Sequence, residues 1–227
     1  MKIRHIFPHV CMVCLYNVSH EELPVCSACI SQMQILVTAP CKTCGQPPSS
    51  CRCVDNDKIR FGFFFGNSIS RDVIYMLKNR IDIRSMDFIA ELAVNSSGIN
   101  IPSYDAVTYV PRLKRRVRRA GRDQAREFAK SLSRIYGIPM IETLERVGGV
   151  EQKLLSRDQR IKNIAGKFRV KDTFPEEPEY KKLLLVDDVA TTGATITACA
   201  SLLRGRVSRS VVMFTLAKTN TLKKKGV

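Results

Sequence analysis

Short, wholly apolar blocks alternate along this chain with stretches whose apolar positions recur every three or four residues. Residues 59–65 are rich in phenylalanine and predict a strand. Ile69, Val73 and Leu77 have helical spacing, and Met86 to Val94 predicts a second helix capped by Ser85. Asp105 to Val110 alternates as a strand, and Pro111 bars its continuation. Gly121 to Tyr136 predicts a helix through Ala125, Phe128, Ala129, Leu132 and Ile135, with Gly137 at its C-terminal cap, and residues 138–144 predict the next strand. Leu183 to Val186 is apolar throughout, the mark of a central parallel strand covered on both faces. A helix over about 193–203 and a strand over 211–216 follow. Strands alternating with helices predict an α/β fold with a doubly wound parallel sheet.

Composition divides this picture in two. Of the chain's 9 cysteines, all but Cys199 lie before residue 54, as Cys11-x-x-Cys14, Cys26-x-x-Cys29, Cys41-x-x-Cys44 and Cys51-x-Cys53. Each close pair offers two soft ligands from one turn, so two pairs complete a tetrahedral zinc site and four pairs complete two sites. Sequential pairing groups Cys11, Cys14, Cys26 and Cys29, then Cys41, Cys44, Cys51 and Cys53; interleaved pairing is the alternative. A disulfide scaffold would need an oxidising compartment. Residues 1–10 are basic and broken by Pro8, without the apolar run of a secretory leader, which favours a cytoplasmic protein with structural zinc. No stretch is long enough to span a membrane. A small zinc-ribbon domain over 1–56 and an α/β domain over 57–227 are expected. Cys199 reads as a small buried core residue.

Charge sharpens the functional question. The chain carries a formal net charge of +16, which predicts attraction to polyanions. Arg112, Lys114, Arg115, Arg116, Arg118, Arg119, Arg122 and Arg126 crowd one segment against a single acid, Asp123, while Lys218, Lys223, Lys224 and Lys225 read as a solvated end. Such a concentration of like charge calls for anions, either diphosphate or a nucleic-acid backbone. Arg115, Arg116, Arg118, Arg119 and Arg122 are the candidate DNA-binding residues. Phe61, Phe63, Phe64 and Phe65 could stack bases, although core packing is the simpler reading.

The chemistry concentrates where the apolar strand ends. Asp187 and Asp188 stand at the carboxyl end of Leu183–Val186, where open α/β sheets bind ligands. Ala190, Thr191, Thr192, Gly193, Ala194 and Thr195 are small or hydroxylated, suited to turning backbone N–H groups and hydroxyls onto a phosphate at a helix start. Two carboxylates beside a phosphate demand a ribose between them, donating two hydroxyls. This run resembles the 5-phosphoribosyl 1-diphosphate (PRPP) signature of type I phosphoribosyltransferases, whose fold, substrate and Mg²⁺ the resemblance implies. By the same resemblance Pro111, Arg112 and Leu113 would form the diphosphate loop, and Lys153, Arg157 and Arg160 a longer loop closing over it. The implied catalytic set is Asp187, Asp188, Arg112, Lys153 and Arg157.

Paired cysteines, a Val-Pro strand end before arginines, the stretch Gln152-x-x-x-x-Arg157-x-x-Arg160-x-x-Asn163-x-x-Gly166-x-Phe168 and the acid-pair signature, in that order, resemble the ComF (ComFC, GntX-type) competence family over nearly the whole chain. Lys78 fits it too. Where that family reads Arg-Gly-Phe-Asn-Gln, this chain reads Ala120-Gly121-Arg122-Asp123-Gln124. Membership implies handling of incoming single-stranded DNA in natural transformation, at the inner face of the cytoplasmic membrane and beside a helicase-like competence protein. An active phosphoribosyltransferase with an unknown acceptor, or a PRPP-sensing regulator, are the alternatives.

Overall fold

The structure is a computed structural model that describes residues 10, 11, 14, 16, 17, 24–35, 59–65, 83–147, 166–175, 179–207 and 209–219. Its centre is a four-stranded sheet, all parallel, in the order β1 (Ile59–Phe65), β6 (Ser210–Thr219), β5 (Lys182–Ala190), β2 (Ala106–Tyr109). The helices α2 (Ile83–Ser97) and α4 (Gln124–Tyr136) cover one face, and α5 (Ala194–Arg204) the other. A short helix α1 (Ser27–Ile35) precedes the sheet, and a second helix α3 (Lys114–Ala120) lies between β2 and α4.

Burial follows the alternation that a strand imposes. Leu184 and Val186 join the cluster under α2 and α4, with Ile89, Phe128 and Phe214. Leu183 and Leu185 join the cluster under α5, with Ile196, Leu203 and Met213. Leu183, Leu184, Leu185 and Val186 are fully buried, so this part of the strand is covered on both faces as its composition implies. On α4 the buried Ala125, Phe128, Ala129 and Leu132 form one stripe, and the Phe128 and Phe214 rings lie 5.5 Å apart between helix and sheet. Burying a side chain such as Phe128 or Leu132 contributes about 1.5–3 kcal/mol. Gly62 of β1 permits a close helix approach: a Cβ there would overlap the Ala93 side chain of α2 and come within 2.7 Å of its Cα.

Several boundaries differ from the sequence reading. Helix α2 begins at Ile83, which places Ser85 buried inside its first turn rather than at its cap. The helix expected from Gly121 begins at Gln124, because Gly121 takes a left-handed φ of 76° that ends α3, and Asp123 is extended at the N-cap of α4. The strand expected over 138–144 is reduced to one parallel bridge, Met140 to Val107. Chain order continues instead into β3 (Leu144–Arg146), antiparallel to β4 (Phe168–Val170) in a separate two-stranded sheet. Buried Thr143, whose hydroxyl meets that of Thr108 at 2.9 Å, fixes where β3 sets out. Finally, β5 runs on to Ala190, so the acid pair lies inside the strand. The expected helix at Ile69, Val73 and Leu77 lies outside the described residues.

Candidate functional site

Strand β5 is flanked unequally, and that asymmetry makes the site. On the β6 side its ladder continues to Ala190, opposite Lys218. On the β2 side the ladder stops at Val186 opposite Tyr109, with Val110 N–H donating to the Val186 carbonyl at 2.9 Å. Asp187 and Asp188 therefore stand beside a notch left by the end of β2. The chain leaves β2 through α4 to Met140 on the outer side, and leaves β5 through α5 to β6 in the opposite direction. This divergence is the switch point at which open parallel sheets hold ligands.

Alternation sends the two carboxylates to opposite faces: Asp187 follows Leu183 and Leu185 toward α5, and Asp188 follows Leu184 and Val186 toward α4. Asp188 forms an ion pair with the Arg112 guanidinium. Arg112 is held from behind, its backbone N–H donating to Asp123 Oδ2 at 3.0 Å. Asp123 is buried, and its other oxygen has no hydrogen-bond partner among the described residues. Burial pushes its carboxyl above the ordinary range, against the Arg112 N–H and charge. Asp187 accepts the Asp188 backbone N–H at 2.9 Å, and Asp188 accepts that of Val189 at 2.8 Å. Burial, then the neighbouring Asp188, drives the Asp187 carboxyl well up. Cys199 of α5, fully buried, is pushed up by burial and by Asp187.

The turn after the strand has the shape of an anion cradle. Thr191 and Thr192 are exposed, and Thr192 Oγ1 accepts the Ala194 N–H at 3.3 Å as α5 begins. Gly193 is buried with a φ of 76°, and a Cβ on it would collide with the Ile59 side chain. The left-handed φ calls for glycine, whereas the Ile59 contact is with the end of a flexible side chain. Ala190 is buried, and Ala194 and Thr195 are half-buried in the first turn of α5, whose N–H groups have no helical acceptor.

At the other end of the chain, Cys11, Cys14, Cys26 and Cys29 bring four Sγ atoms within 4.8 Å of one another. Cys11 and Cys14 lie in a turn closed by the Val10–Asn17 antiparallel bridge and by the Cys11 N–H to Tyr16 carbonyl bond of 2.7 Å; Cys26 and Cys29 open α1. No disulfide joins the four. The Cys14 and Cys26 sulfurs are 3.7 Å apart, and a tetrahedron with metal–sulfur bonds of about 2.3 Å has edges of about 3.8 Å. The Cys26 N–H donates to Cys11 Sγ at 3.2 Å, as suits a thiolate. Burial and the surrounding sulfurs push the Cys29 thiol up, and a cation among the sulfurs would favour its thiolate. The cluster could bind zinc.

Two curated proteins are similar to this chain in sequence. Competence protein F of Haemophilus influenzae is 33% identical over 116 residues, 50% of this chain and 50% of that protein. Competence protein ComFC of Bacillus subtilis is 24% identical over 210 residues, 86% of this chain and 84% of that one. The chain is thus similar in sequence to two competence proteins. Its match to Competence protein F spans about half the length of that protein. Among solved structures, the glutamine PRPP amidotransferase from B. subtilis is 18% identical, with 63% of this chain and 30% of that chain covered at a TM-score of 0.42. The orotate phosphoribosyltransferase from Aeropyrum pernix is 16% identical, with 65% and 75% covered at a TM-score of 0.36. No family model matches the chain.

The structure brings Asp187, Asp188, Pro111 and Arg112 together at the notch, with residues 190–195 beyond the acids. Arg115, Arg116, Arg118 and Arg119 are exposed on α3, which contains no acid and buries no residue, and Arg122 is half-buried just after it. Lys153, Arg157, Arg160, Lys78 and the cysteines Cys41, Cys44, Cys51 and Cys53 lie outside the described residues. One residue enters the site that sequence reasoning did not place there. Asp123 was visible as the lone acid in a basic run.

Proposed function

We propose that the notch and turn bind a ribose 5-phosphate ligand, PRPP with Mg²⁺, and that the protein handles single-stranded DNA as a competence protein. The observation that carries the first half is the split acid pair at the sheet's switch point, followed directly by the Gly193 turn and the start of α5. Ribose hydroxyls would donate to Asp187 and Asp188, and the 5′-phosphate would meet N–H groups and hydroxyls of residues 190–195. For Asp188 to accept a hydroxyl, its Arg112 partner must share it or turn toward the diphosphate. Mg²⁺ would supply charge neutralisation for that diphosphate.

The DNA half rests on α3. Exposed Lys114, Arg115, Arg116, Arg118 and Arg119 form a basic surface beginning two residues after Arg112, so a phosphate backbone would lie close to the ribose-phosphate site. A zinc in the four-cysteine cluster, and a second held by Cys41, Cys44, Cys51 and Cys53, would be structural. Charge reversal of Arg115, Arg116 and Arg119 together is expected to weaken single-stranded DNA binding by about tenfold or more and to flatten its salt dependence. Unchanged affinity and salt slope would remove α3 as the DNA surface. Transferase activity is the second reading, favoured by the same acid pair. Release of diphosphate from PRPP in the presence of an acceptor would establish it; binding without release would leave a ligand sensor.

A further inference from the structure

Strand β6 carries one polar residue inside an apolar run. Residues 211–217 are all buried, and of these only Thr215 is polar. Its side chain has no exposed surface, and its hydroxyl has no hydrogen-bond partner among the described residues. An unpaired buried hydroxyl costs stability that valine, of the same shape, would not. Packing alone therefore gives no reason for threonine at this position. Its place in the sheet does. Val211 and Met213 join the apolar cluster under α5, and alternation carries Thr215 to the same face. That is the face of Asp187. The ladder makes Asp187 and Thr215 register partners, so their side chains stand side by side on strands about 4.8 Å apart. On the other flank the register partner of Thr215 is Phe61, and the cluster on this face draws Ile196, Cys199, Ala200 and Leu203 from α5.

Asp187 is half-buried and accepts the Asp188 backbone N–H through Oδ1. Thr215 is wholly covered, so it acts on a ligand only through a neighbour. We propose that Thr215 is a positioning residue, whose hydroxyl donates to the second oxygen of Asp187 and holds that carboxylate, ionised and oriented, for a ribose hydroxyl. This inference rests on the ribose-phosphate reading of the acid pair. Rotation about χ1 turns the hydroxyl toward the carboxylate without moving the strands. The charged and titratable neighbours of Asp187 are Asp188 on its own strand, Arg112 beyond β2, Cys199 on α5 and Arg146 on β3. Burial and Asp188 disfavour its ionised form and Arg112 favours it. A donor on β6 acts in the same direction as Arg112.

Calorimetric titration of ribose 5-phosphate, and separately of inorganic phosphate, into wild type, Thr215→Val and Thr215→Ser from about pH 5 to about pH 9 tests it, with thermal midpoints to verify folding. Thr215→Val keeps the shape and removes the donor. It is expected to weaken ribose 5-phosphate about 3- to 10-fold near pH 7, while leaving phosphate, which reads the turn alone, within about twofold. A lost donor raises the carboxyl, so the decline of ribose 5-phosphate affinity on acidification is expected to begin at higher pH in Thr215→Val. Thr215→Ser is expected to restore both the affinity and the pH profile. Unchanged affinity and profile in Thr215→Val, equal weakening of both ligands, or no recovery in folded Thr215→Ser would overturn the role of Thr215 while leaving the acid-pair site intact. Failure of wild type to bind ribose 5-phosphate would overturn the site itself, and the inference with it.

Discussion

Asp187 and Asp188 are adjacent in sequence yet have different environments, and the difference has a measurable sign. The Asp187 carboxyl is raised by burial, so between the ordinary carboxylate range, about pH 4, and its folded value the native state binds more protons than the unfolded one. Stability therefore falls as pH rises through that window. Asp187→Asn is expected to raise the thermal midpoint at pH 7 by a few degrees, roughly 1–2 kcal/mol, and to match wild type near pH 4. A lower midpoint at pH 7 would show that the charge is compensated in the native protein. Asp123 has the same sign and the same first cause. Residues whose role is local, the acid pair and the glycine of the turn, were legible because composition and spacing within a dozen positions define them. Thr215 was not, since its meaning depends on which residue of β5 the ladder sets beside it.

Elements were legible wherever apolar pattern alone sets them. The strands at residues 59–65 and 183–186 and the helix after Gly193 appear as expected. Boundaries failed where one residue's backbone decides them, as with left-handed Gly121, or where ladder pairing outlasts the apolar run, as with β5 beyond Val186. Two contacts between elements carry predictions. Gly62→Ala is expected to force α2 away from β1 and cost about 1–3 kcal/mol, visible in the urea midpoint; an unchanged midpoint would mean that α2 shifts freely. Glu142 gathers the Lys171 ammonium, Arg126 (Nη2 at 3.0 Å) and the Tyr109 hydroxyl at 3.1 Å, joining α4 to the end of β2. These partners, Lys171 first, lower its carboxyl to about 2. A depressed acid stabilises the fold above its unfolded pKa, about 4.3, and that contribution is lost as pH falls from there toward 2. Glu142→Gln is expected to lower the midpoint at pH 7, by about 1 kcal/mol given the part-exposed setting, and to flatten the acid limb of the stability curve. An unchanged acid limb would show that Glu142 does not govern it.

Across the whole molecule, the four-cysteine knuckle is not remote from the α/β core. Cys11, Val25 and Cys29 belong to the same contiguous apolar cluster as Met86, Ile89 and Phe128. Chelation is accordingly expected to lower the unfolding midpoint of the entire protein, and metal analysis to find one zinc for each four-cysteine set. Full retention of the midpoint in chelator, with no metal recovered, would remove zinc from the structure. The formal charge of +16 was legible from composition, but its concentration on an exposed helix next to the notch was visible only once α3 had separated from α4. The measurement that bears most directly on the ribose-phosphate site is titration of PRPP with Mg²⁺ into wild type and into the Asp187→Asn, Asp188→Asn double variant. Saturable binding by wild type that the folded double variant loses is the expected result; no binding by folded, zinc-replete wild type, or equal binding by both, would contradict it.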